Sequence, residues 1–177
     1  MKDTNMPDAV SVLVVGAGPA GLTAAIALAR HGVDCLLVER RPEISSLPRA
    51  TAISVRSMEL LRGWGLEDEV RAGGVDVEWL QWHCTTLAQV ADGHGTPTGY
   101  PTPAQSAMLS PTAPACVPQD HLEPVLLEHL RSLPTARVAL GVEVVDVHPG
   151  DDGVRVTVRD TAAAGPAPTR AIAARYV

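Results

Sequence analysis

Three glycines near the amino terminus carry the strongest chemical signal in this 177-residue chain. Gly16, Gly18 and Gly21 follow the GxGxxG pattern and stand between an apolar run and an alanine-rich run. In this pattern the first glycine permits a tight turn, the second lets the backbone approach a pyrophosphate, and the third lets a helix pack close to a strand. The first amides of that helix and its positive end attract phosphate. The spacing therefore predicts a dinucleotide-binding turn; the alternative is a glycine turn with a structural role only.

A carboxylate stands where a ribose would be held. Glu39 follows Gly21 by eighteen residues, at the end of a second apolar run. An acid at this position can accept hydrogen bonds from both hydroxyl groups of an adenosine ribose. Its negative charge disfavours a 2′-phosphate on that ribose, so the pattern favours FAD or NAD over NADP at this site.

Hydrophobic periodicity predicts the elements that must position these residues. Residues 10–15 and 34–38 are predicted strands, and residues 19–31 are the predicted helix between them, ended by Gly32. Two parallel strands joined by one helix imply a right-handed crossover and an α/β fold class. Further along, the sequence predicts helices at 54–62 (with Ser54 as N-cap), 66–72 and 119–133, strands at 75–83, 137–140 and 172–177, a hairpin of 142–147 with 154–159, and a proline-rich loop over 91–118.

The composition limits the class of protein. Hydrophobic residues make up 46% of the chain and charged residues 19%, which suits one globular domain with a core. The net charge of −6 argues against a nucleic acid or an anionic membrane as partner. Residues 10–29 are uncharged over a membrane-spanning length, but their glycine-rich middle predicts a strand, a turn and a helix instead.

The cysteines and tryptophans give weaker signals. Cys35, Cys84 and Cys116 are far apart and form no CxxC pair, which argues against a disulfide framework, a zinc site or a redox dithiol. We therefore expect buried free thiols, a reducing cytoplasmic location and no metal. Trp79 and Trp82 lie in a predicted strand, where core packing is the expected role and the border of a substrate pocket is the alternative.

Four longer segments extend the signal beyond the glycines. They are VVGAGPAGLTAAIALARHGVDCLLVER, LPRATAISVRSMELLRGWGL, VPQDHLEPVLLEHL and GVEVVDVHPGDDGVRVTV, and together they cover nearly the whole chain. The chain resembles the FAD-dependent aromatic hydroxylases, the single-component flavoprotein monooxygenases of the para-hydroxybenzoate hydroxylase type. The resemblance implies that residues 1–177 are the N-terminal part of a Rossmann-like FAD-binding domain with a parallel sheet and a β-meander or hairpin crossover, incomplete at the C-terminus. It also implies that residues 75–117 contribute to the edge of a substrate domain.

The resemblance assigns roles to individual residues. Five of them would make the pyrophosphate turn: Gly16, Gly18, Pro19, Ala20 and Gly21. Glu39 would hold the ribose, with Arg40 beside it, and Arg49 would contact the diphosphate or the flavin side of FAD. Gln119 would hydrogen-bond the ribityl or phosphate region, and Val144 would present backbone groups to adenine.

The resemblance also implies an activity. In such enzymes NAD(P)H reduces FAD, oxygen adds to the flavin, and one oxygen atom passes to an electron-rich aromatic small molecule, with polyketide-like phenols as candidate substrates. The cofactor carries the chemistry, so no catalytic side chain is predicted here, and no oligomeric state is predicted either. The alternatives are a non-catalytic FAD-binding module or truncated product, and an NAD-binding oxidoreductase fragment.

The last predicted strand bears on how much the 177 residues can do. In the family that the chain resembles, such a strand leads into a Gly-Ala-Asp-Gly segment whose aspartate binds the ribityl chain. That segment does not follow residues 172–177 in this sequence. We therefore expect the 177 residues alone to bind FAD weakly and not to hydroxylate.

Overall fold

The computed structural model describes residues 6–49, 52–162 and 168–177. Within these residues, strand, helix and strand alternate at the start, and a meander of strands closes the described chain. The strands are β1 (Ala9–Val15), β2 (Cys35–Glu39), β3 (Ala52–Ile53), β4 (Leu80–His83), β5 (His94–Pro97), β6 (Ala115–Cys116), β7 (Ala136–Leu140), β8 (Val142–Gly150), β9 (Gly153–Asp160) and β10 (Thr169–Tyr176). The α-helices are α1 (Pro19–Arg30), α2 (Val55–Gly63), α3 (Glu67–Ala72), α4 (Pro103–Leu109) and α5 (Gln119–Ser132), and a 3-10 helix spans Leu87–Asp92.

Residues up to 47 and from 122 onward form one compact unit on a six-stranded sheet. The strand order is β7-β2-β1-β10-β9-β8. The pairs β7–β2, β2–β1 and β1–β10 are parallel, whereas β10, β9 and β8 form an antiparallel meander. The predicted α/β class with a parallel sheet is confirmed.

The strand that ends at the predicted ribose acid is buried along nearly its whole length. Cys35, Leu36, Leu37 and Val38 in β2 are each at most 1% exposed. A parallel strand needs such a continuous apolar run when both faces of its sheet are covered. The register between β1 and β2 aligns Val15 with Val38, so both strands end at the same edge of the sheet.

Alternate residues of β2 face two different layers. On one face, the Cys35 thiol lies 3.6 Å from the Ala25 carbonyl, so α1 covers this side of the sheet. On the other face, Leu36 and Val38 join an aliphatic cluster that runs across the sheet to β9 and β10. The buried residues of this cluster are Val10, Leu13, Leu36, Val38, Ala139, Val142, Val156, Val158, Ile172 and Ala174.

Residues 48–121 form a second compact unit of shorter elements. It contains α2, α3, α4 and two antiparallel two-stranded sheets, β3–β6 and β4–β5. α2 begins after Ser54, whose hydroxyl accepts a hydrogen bond from the Ser57 amide over 3.2 Å. Ser54 is therefore the N-cap that the sequence predicts, and Met58 and Leu61 form the buried face of the helix.

The prediction that loop dominates residues 91–118 holds only in part. This range contains β5, α4 and β6. A capping box starts α4: the Thr102 and Gln105 side chains each accept a hydrogen bond from the backbone of the other residue. Pro103 occupies the first helical turn, where the missing amide costs nothing. Two of the prolines that suggested a loop therefore lie in regular structure: Pro103 at the start of a helix and Pro97 at the end of a strand.

The strand predicted over residues 75–83 is shorter in the structure. Only Leu80–His83 pair with β5, and Val75 makes a single isolated bridge to Cys116. The β4 residues are exposed, and Trp82 is 51% exposed with its indole donating to the Val90 carbonyl over 3.0 Å. The prediction of core packing is therefore wrong for Trp82. The alternation of apolar residues in this segment does not mark a buried face.

The described cysteines are free, but they differ in burial. Cys35 is buried, Cys116 is partly buried and Cys84 is exposed. The expectation of buried thiols therefore holds for Cys35 only, since Cys84 follows the exposed strand β4.

The uncharged run of residues 10–29 forms most of β1, the glycine turn and nearly all of α1, as predicted. In the part of the chain that the structure describes, no helix is both long and apolar enough to cross a membrane.

Candidate functional site

The glycine turn joins the end of β1 to the start of α1. Gly16 has a φ of +100°, in the region that residues with a side chain rarely adopt. Its amide donates to the Val38 carbonyl over 2.8 Å, which ties the turn to β2. A Cβ atom at Gly21 would lie 2.0 Å from the Gly16 carbonyl oxygen, so the first turn of α1 rests directly on the loop. The fold itself therefore requires glycine at these two positions.

Gly18 differs from its two neighbours in the motif. Its φ of −76° and ψ of 175° are ordinary extended values, and a Cβ atom there would meet only Glu123 Oε1, at 4.0 Å. The protein does not require glycine here, but the absent side chain leaves the backbone open at the start of α1. Gly18 is the N-cap and Pro19 follows it, so the first amides of the helix lie beyond them without helical partners. This opening suits a phosphate group that approaches the backbone.

Glu39 ends β2 beside this turn. Its Oε2 atom accepts a hydrogen bond from the Ala17 amide over 2.9 Å, and its Oε1 atom accepts one from the Arg41 amide, also over 2.9 Å. Each oxygen of a carboxylate has two lone pairs, so each keeps an acceptor position for a hydroxyl group. The arrangement fixes the carboxylate and leaves it able to accept from two vicinal hydroxyls.

The backbone after Glu39 is held by a small hydrogen-bond network. The Gly141 amide donates to the Arg41 carbonyl over 2.9 Å. The Thr161 hydroxyl lies 3.0 Å from the carbonyl oxygens of Arg40 and Gly141. The Thr161 amide donates to the same Gly141 carbonyl over 2.8 Å. The sequence gives no signal for this network, because its members come from loops after three different strands.

A buried acid next to the turn was also not predicted. Glu123 is 2% exposed on α5, with Oε1 close to Gly18. Its position three and seven residues before the buried Leu126 and Leu130 places it on the apolar face of the helix. The sequence alone could have identified Glu123, because it is an acid within the apolar stripe of a predicted helix.

The structure places the remaining predicted residues in different parts of the fold. Arg40 is exposed directly after Glu39, and Val144 lies on β8 with its side chain packed against the aliphatic cluster. Arg49 and Gln119 belong to the second unit, where Arg49 is exposed and Gln119 is the nearly buried first residue of α5. The turn and Glu39 are thus brought together, and the roles of the other four residues stay predictions.

The second unit contains a cavity of about 660 Å³. Its lining includes Trp79, which stacks on Tyr100 with ring centroids 4.7 Å apart, and the partly buried Cys116. Arg71 also lines the cavity, with its guanidinium bonded to Thr112 and to the Ala113 carbonyl. Trp79 therefore borders an opening rather than a closed core.

Over residues 6–49, 52–162 and 168–177, no three His, Cys, Asp or Glu side chains lie close enough to hold a metal ion. The candidate site described above consists of the backbone amides of the glycine turn and the fixed carboxylate of Glu39.

Comparison with known protein families gives a match over almost the whole chain. A family described as an FAD binding domain matches residues 9–177. Among curated proteins, the chain is 35% identical over 176 residues to aklavinone 12-hydroxylase DnrF of Streptomyces peucetius subsp. caesius, covering 97% of this chain and 35% of that protein. It is 36% identical over 174 residues to tetracenomycin B2 monooxygenase-dioxygenase of Streptomyces olivaceus, covering 85% of this chain and 32% of the relative.

Solved structures give the same picture. The flavin-dependent monooxygenase PieE, in complex with FAD and substrate, matches with a TM-score of 0.79 and 30% identity, over 97% of this chain and 30% of that one. A ternary complex of aklavinone-11 hydroxylase with FAD and aklavinone matches with a TM-score of 0.76 and 34% identity, over 97% and 32%. The chain spans about a third of the length of the relatives it matches.

Proposed function

This chain belongs to the FAD binding domain family, and from that premise we propose that it binds the adenosine and pyrophosphate half of FAD. One observation carries the proposal: the Ala17 amide of the glycine turn donates to Glu39 Oε2 over 2.9 Å. The phosphate-binding turn and the ribose-binding acid are thereby fixed to each other before a ligand arrives. Such preorganisation lowers the cost of binding, since less conformational freedom is lost.

The described residues fit this half of the cofactor. Gly18 leaves the start of α1 open to the pyrophosphate, and the amides of Ala20 and Gly21 belong to the first helical turn, where they would donate to phosphate oxygens. The Glu39 carboxylate would accept from the two ribose hydroxyls. Backbone dipoles would thus bind the anionic pyrophosphate, and the fixed negative charge of Glu39 would bind the neutral ribose.

The remaining predicted contacts are part of the same proposal. Arg40 would lie beside the ribose, and backbone groups of Val144 would face adenine. Arg49 would contact the diphosphate or the flavin side of FAD, and Gln119 the ribityl or phosphate region. The position of Arg40 directly after Glu39 supports the first of these assignments, and the position of Val144 on β8, the strand at the end of the sheet order, supports the second.

We further propose that the chain serves as the N-terminal part of a flavoprotein monooxygenase. The chemistry that FAD supplies in such enzymes is the oxygenation of an aromatic small molecule at the expense of NAD(P)H and O₂. The similarity to aklavinone and tetracenomycin oxygenases supports polyketide-like phenols as the substrate class. Residues 75–117 would contribute to the edge of a substrate domain. Because the chain spans about a third of those relatives, we propose cofactor binding rather than turnover for the 177 residues alone.

The setting of the protein is part of the proposal as well. We propose a cytoplasmic location, which is supported by the free thiols of Cys35, Cys84 and Cys116. Disulfides form and persist in oxidising compartments, so free cysteines suit a reducing one.

Titration of FAD with the purified chain tests the binding proposal. We expect saturable quenching of flavin fluorescence, and we expect Glu39→Gln to raise the Kd by about tenfold because a hydrogen bond to a charged group is worth roughly 1.5–3 kcal/mol. Glu128→Gln, which removes the same charge from an exposed position on α5, is the control and should leave the Kd unchanged.

The same titration distinguishes the alternatives. A chain that does not bind FAD, or that binds NAD more tightly than FAD in competition, would contradict the proposal and favour the NAD-binding fragment. Turnover of NADPH or NADH with a phenol by the 177 residues alone would contradict the restriction to cofactor binding.

A further inference from the structure

Three loops meet beside the predicted ribose acid. They follow β2, β7 and β9 and contribute Arg40 and Arg41, Gly141, and Thr161 respectively. The Thr161 hydroxyl is 3.0 Å from both the Arg40 and the Gly141 carbonyl oxygens. A hydroxyl has a single hydrogen to donate, so the two carbonyls share this donor, which lies between two loops that are far apart in the sequence.

The network continues from these loops to the carboxylate. The Gly141 amide donates to the Arg41 carbonyl over 2.9 Å, and the Arg41 amide donates to Glu39 Oε1 over 2.9 Å. Gly141 has a φ of +77°, and a Cβ atom there would meet Thr161 Oγ1 only at 3.6 Å. Glycine is therefore required at position 141 because of the backbone conformation that directs this amide toward Arg41. The space around position 141 would admit a Cβ atom.

We propose that Thr161 is a positioning residue for the ribose-binding carboxylate of Glu39. This inference rests on the proposed function. Arg40 and Arg41 are exposed, and an exposed segment after a strand moves unless its backbone groups are held. Thr161 holds the Arg40 carbonyl, and the adjoining Arg41 amide holds Oε1. The carboxylate is thus supported from two sides, by the Ala17 amide and by the loop that Thr161 fixes.

The position of Thr161 makes this role separable from stability. Thr161 is exposed, so water can replace its hydroxyl as a partner for both carbonyls, and removing the hydroxyl should change the unfolding midpoint little. Water would not fix the loop in one geometry. We therefore expect removal of the Thr161 hydroxyl to reduce the preference of Glu39 for a ribose with both hydroxyls over one that lacks the 2′-hydroxyl.

The experiment compares ADP with 2′-deoxy-ADP, each measured by competition against FAD fluorescence on the full chain. We expect the wild-type protein to prefer ADP by about tenfold, since the deoxy nucleotide leaves a carboxylate acceptor unpaired. Thr161→Val has the shape of threonine without the donor and should reduce this preference to about twofold, roughly a fivefold loss, at similar melting temperature. Thr161→Ser keeps the hydroxyl and should restore the preference.

Thr135 provides a matched control. Its hydroxyl also donates to a backbone carbonyl, that of Ala29, over 3.0 Å, and it lies before β7 rather than after it. Thr135→Val removes a bond of the same kind from the same unit and should leave the ratio of the two Kd values unchanged. A general loosening of the fold would affect both valine variants.

The outcomes separate the two proposals. An unchanged ratio in Thr161→Val, an equal weakening of both nucleotides, or a lost preference in Thr161→Ser overturns the positioning role. In the double variant with Glu39→Gln, Thr161→Val should reduce the ratio no further, and an additive loss also overturns it. If Thr161→Val does not fold, Thr161→Ala, which also removes the hydroxyl, replaces it in the same comparison with Thr161→Ser. Failure of the wild-type chain to bind FAD overturns the proposed function instead.

Discussion

A single methyl group tests the geometry of the glycine turn. In Gly21→Ala, the new Cβ atom would lie 2.0 Å from the Gly16 carbonyl oxygen, a backbone atom that cannot rotate away. Alanine normally favours a helix over glycine by about 1 kcal/mol, but this clash outweighs that gain. We expect the free energy of unfolding to fall by about 1–3 kcal/mol, measured by urea denaturation.

Gly18→Ala is the matched control for that measurement. The backbone at Gly18 is compatible with any residue, and the new Cβ atom meets only Glu123 Oε1 at 4.0 Å. Its unfolding free energy should stay within about 0.5 kcal/mol of the wild type, although its methyl group would stand in the phosphate approach. Equal stability of Gly21→Ala and Gly18→Ala would contradict the packing described for the turn.

The candidate site could be predicted from the sequence only where its signal is local. Gly16, Gly21 and Glu39 were predictable because their spacing along one β-α-β unit is itself the signal. Thr161 was not, because its partner Arg40 lies 121 residues away and only the folded sheet brings their loops together. A threonine after a strand has no distinguishing pattern.

At the scale of elements, one acid network fixes a loop to α3. Glu67 accepts hydrogen bonds from Thr112, from Arg62 over 2.8 Å and from Arg71 over 3.1 Å. Arg71 also donates to the Ala113 carbonyl over 2.6 Å. Burial opposes the charged form, but the hydrogen bonds from Thr112, Arg62 and Arg71 prevail and hold the pKa of Glu67 below its ordinary value.

This network makes the stability of the second unit depend on pH. Because the pKa of Glu67 is lower in the folded chain, its contribution is complete above the ordinary value of 4.5 and is lost as the pH falls through the folded value. We expect the melting temperature of the wild type to fall more steeply below pH 4.5 than that of Glu67→Gln. Glu69→Gln, an exposed change on the same helix, should follow the wild type, and parallel curves for all three proteins would contradict the role of Glu67.

The elements themselves were predictable to different degrees. β1, α1 and β2 follow from local periodicity, since a buried parallel strand and an amphipathic helix each leave a clear pattern. β5 and β6 do not, because each is a short strand defined by its partner, β4 or β3, and not by its own composition. The exposed Trp82 shows the same limit: a strand pattern does not reveal whether another layer covers it.

At the scale of the whole molecule, the accessibility of the cysteine thiols reports on whether the chain is folded. Cys35 lies within the sheet, and burial, with a further contribution from Asp34, raises the pKa of its thiol against the opposing effect of Arg137. We expect iodoacetamide to modify the exposed Cys84 first, the partly buried Cys116 more slowly, and Cys35 only when the sheet opens. Peptide mass spectrometry at increasing urea concentrations measures this order. Modification of Cys35 as fast as Cys84 in buffer would contradict the buried position of β2.

The place of β10 in the sheet has a consequence for how the chain is made. β10 is the last of the six strands to leave the ribosome, yet it lies between β1 and β9, with Ala173 beside Ala9. Until it emerges, β1 and β2 can pair, but one edge of β1 has no neighbouring strand. Closing so long a loop is slow, and an apolar strand edge attracts other chains. Until β10 emerges, the nascent chain therefore carries a strand edge that is prone to aggregation, and a chaperone that shields β1 should raise its yield.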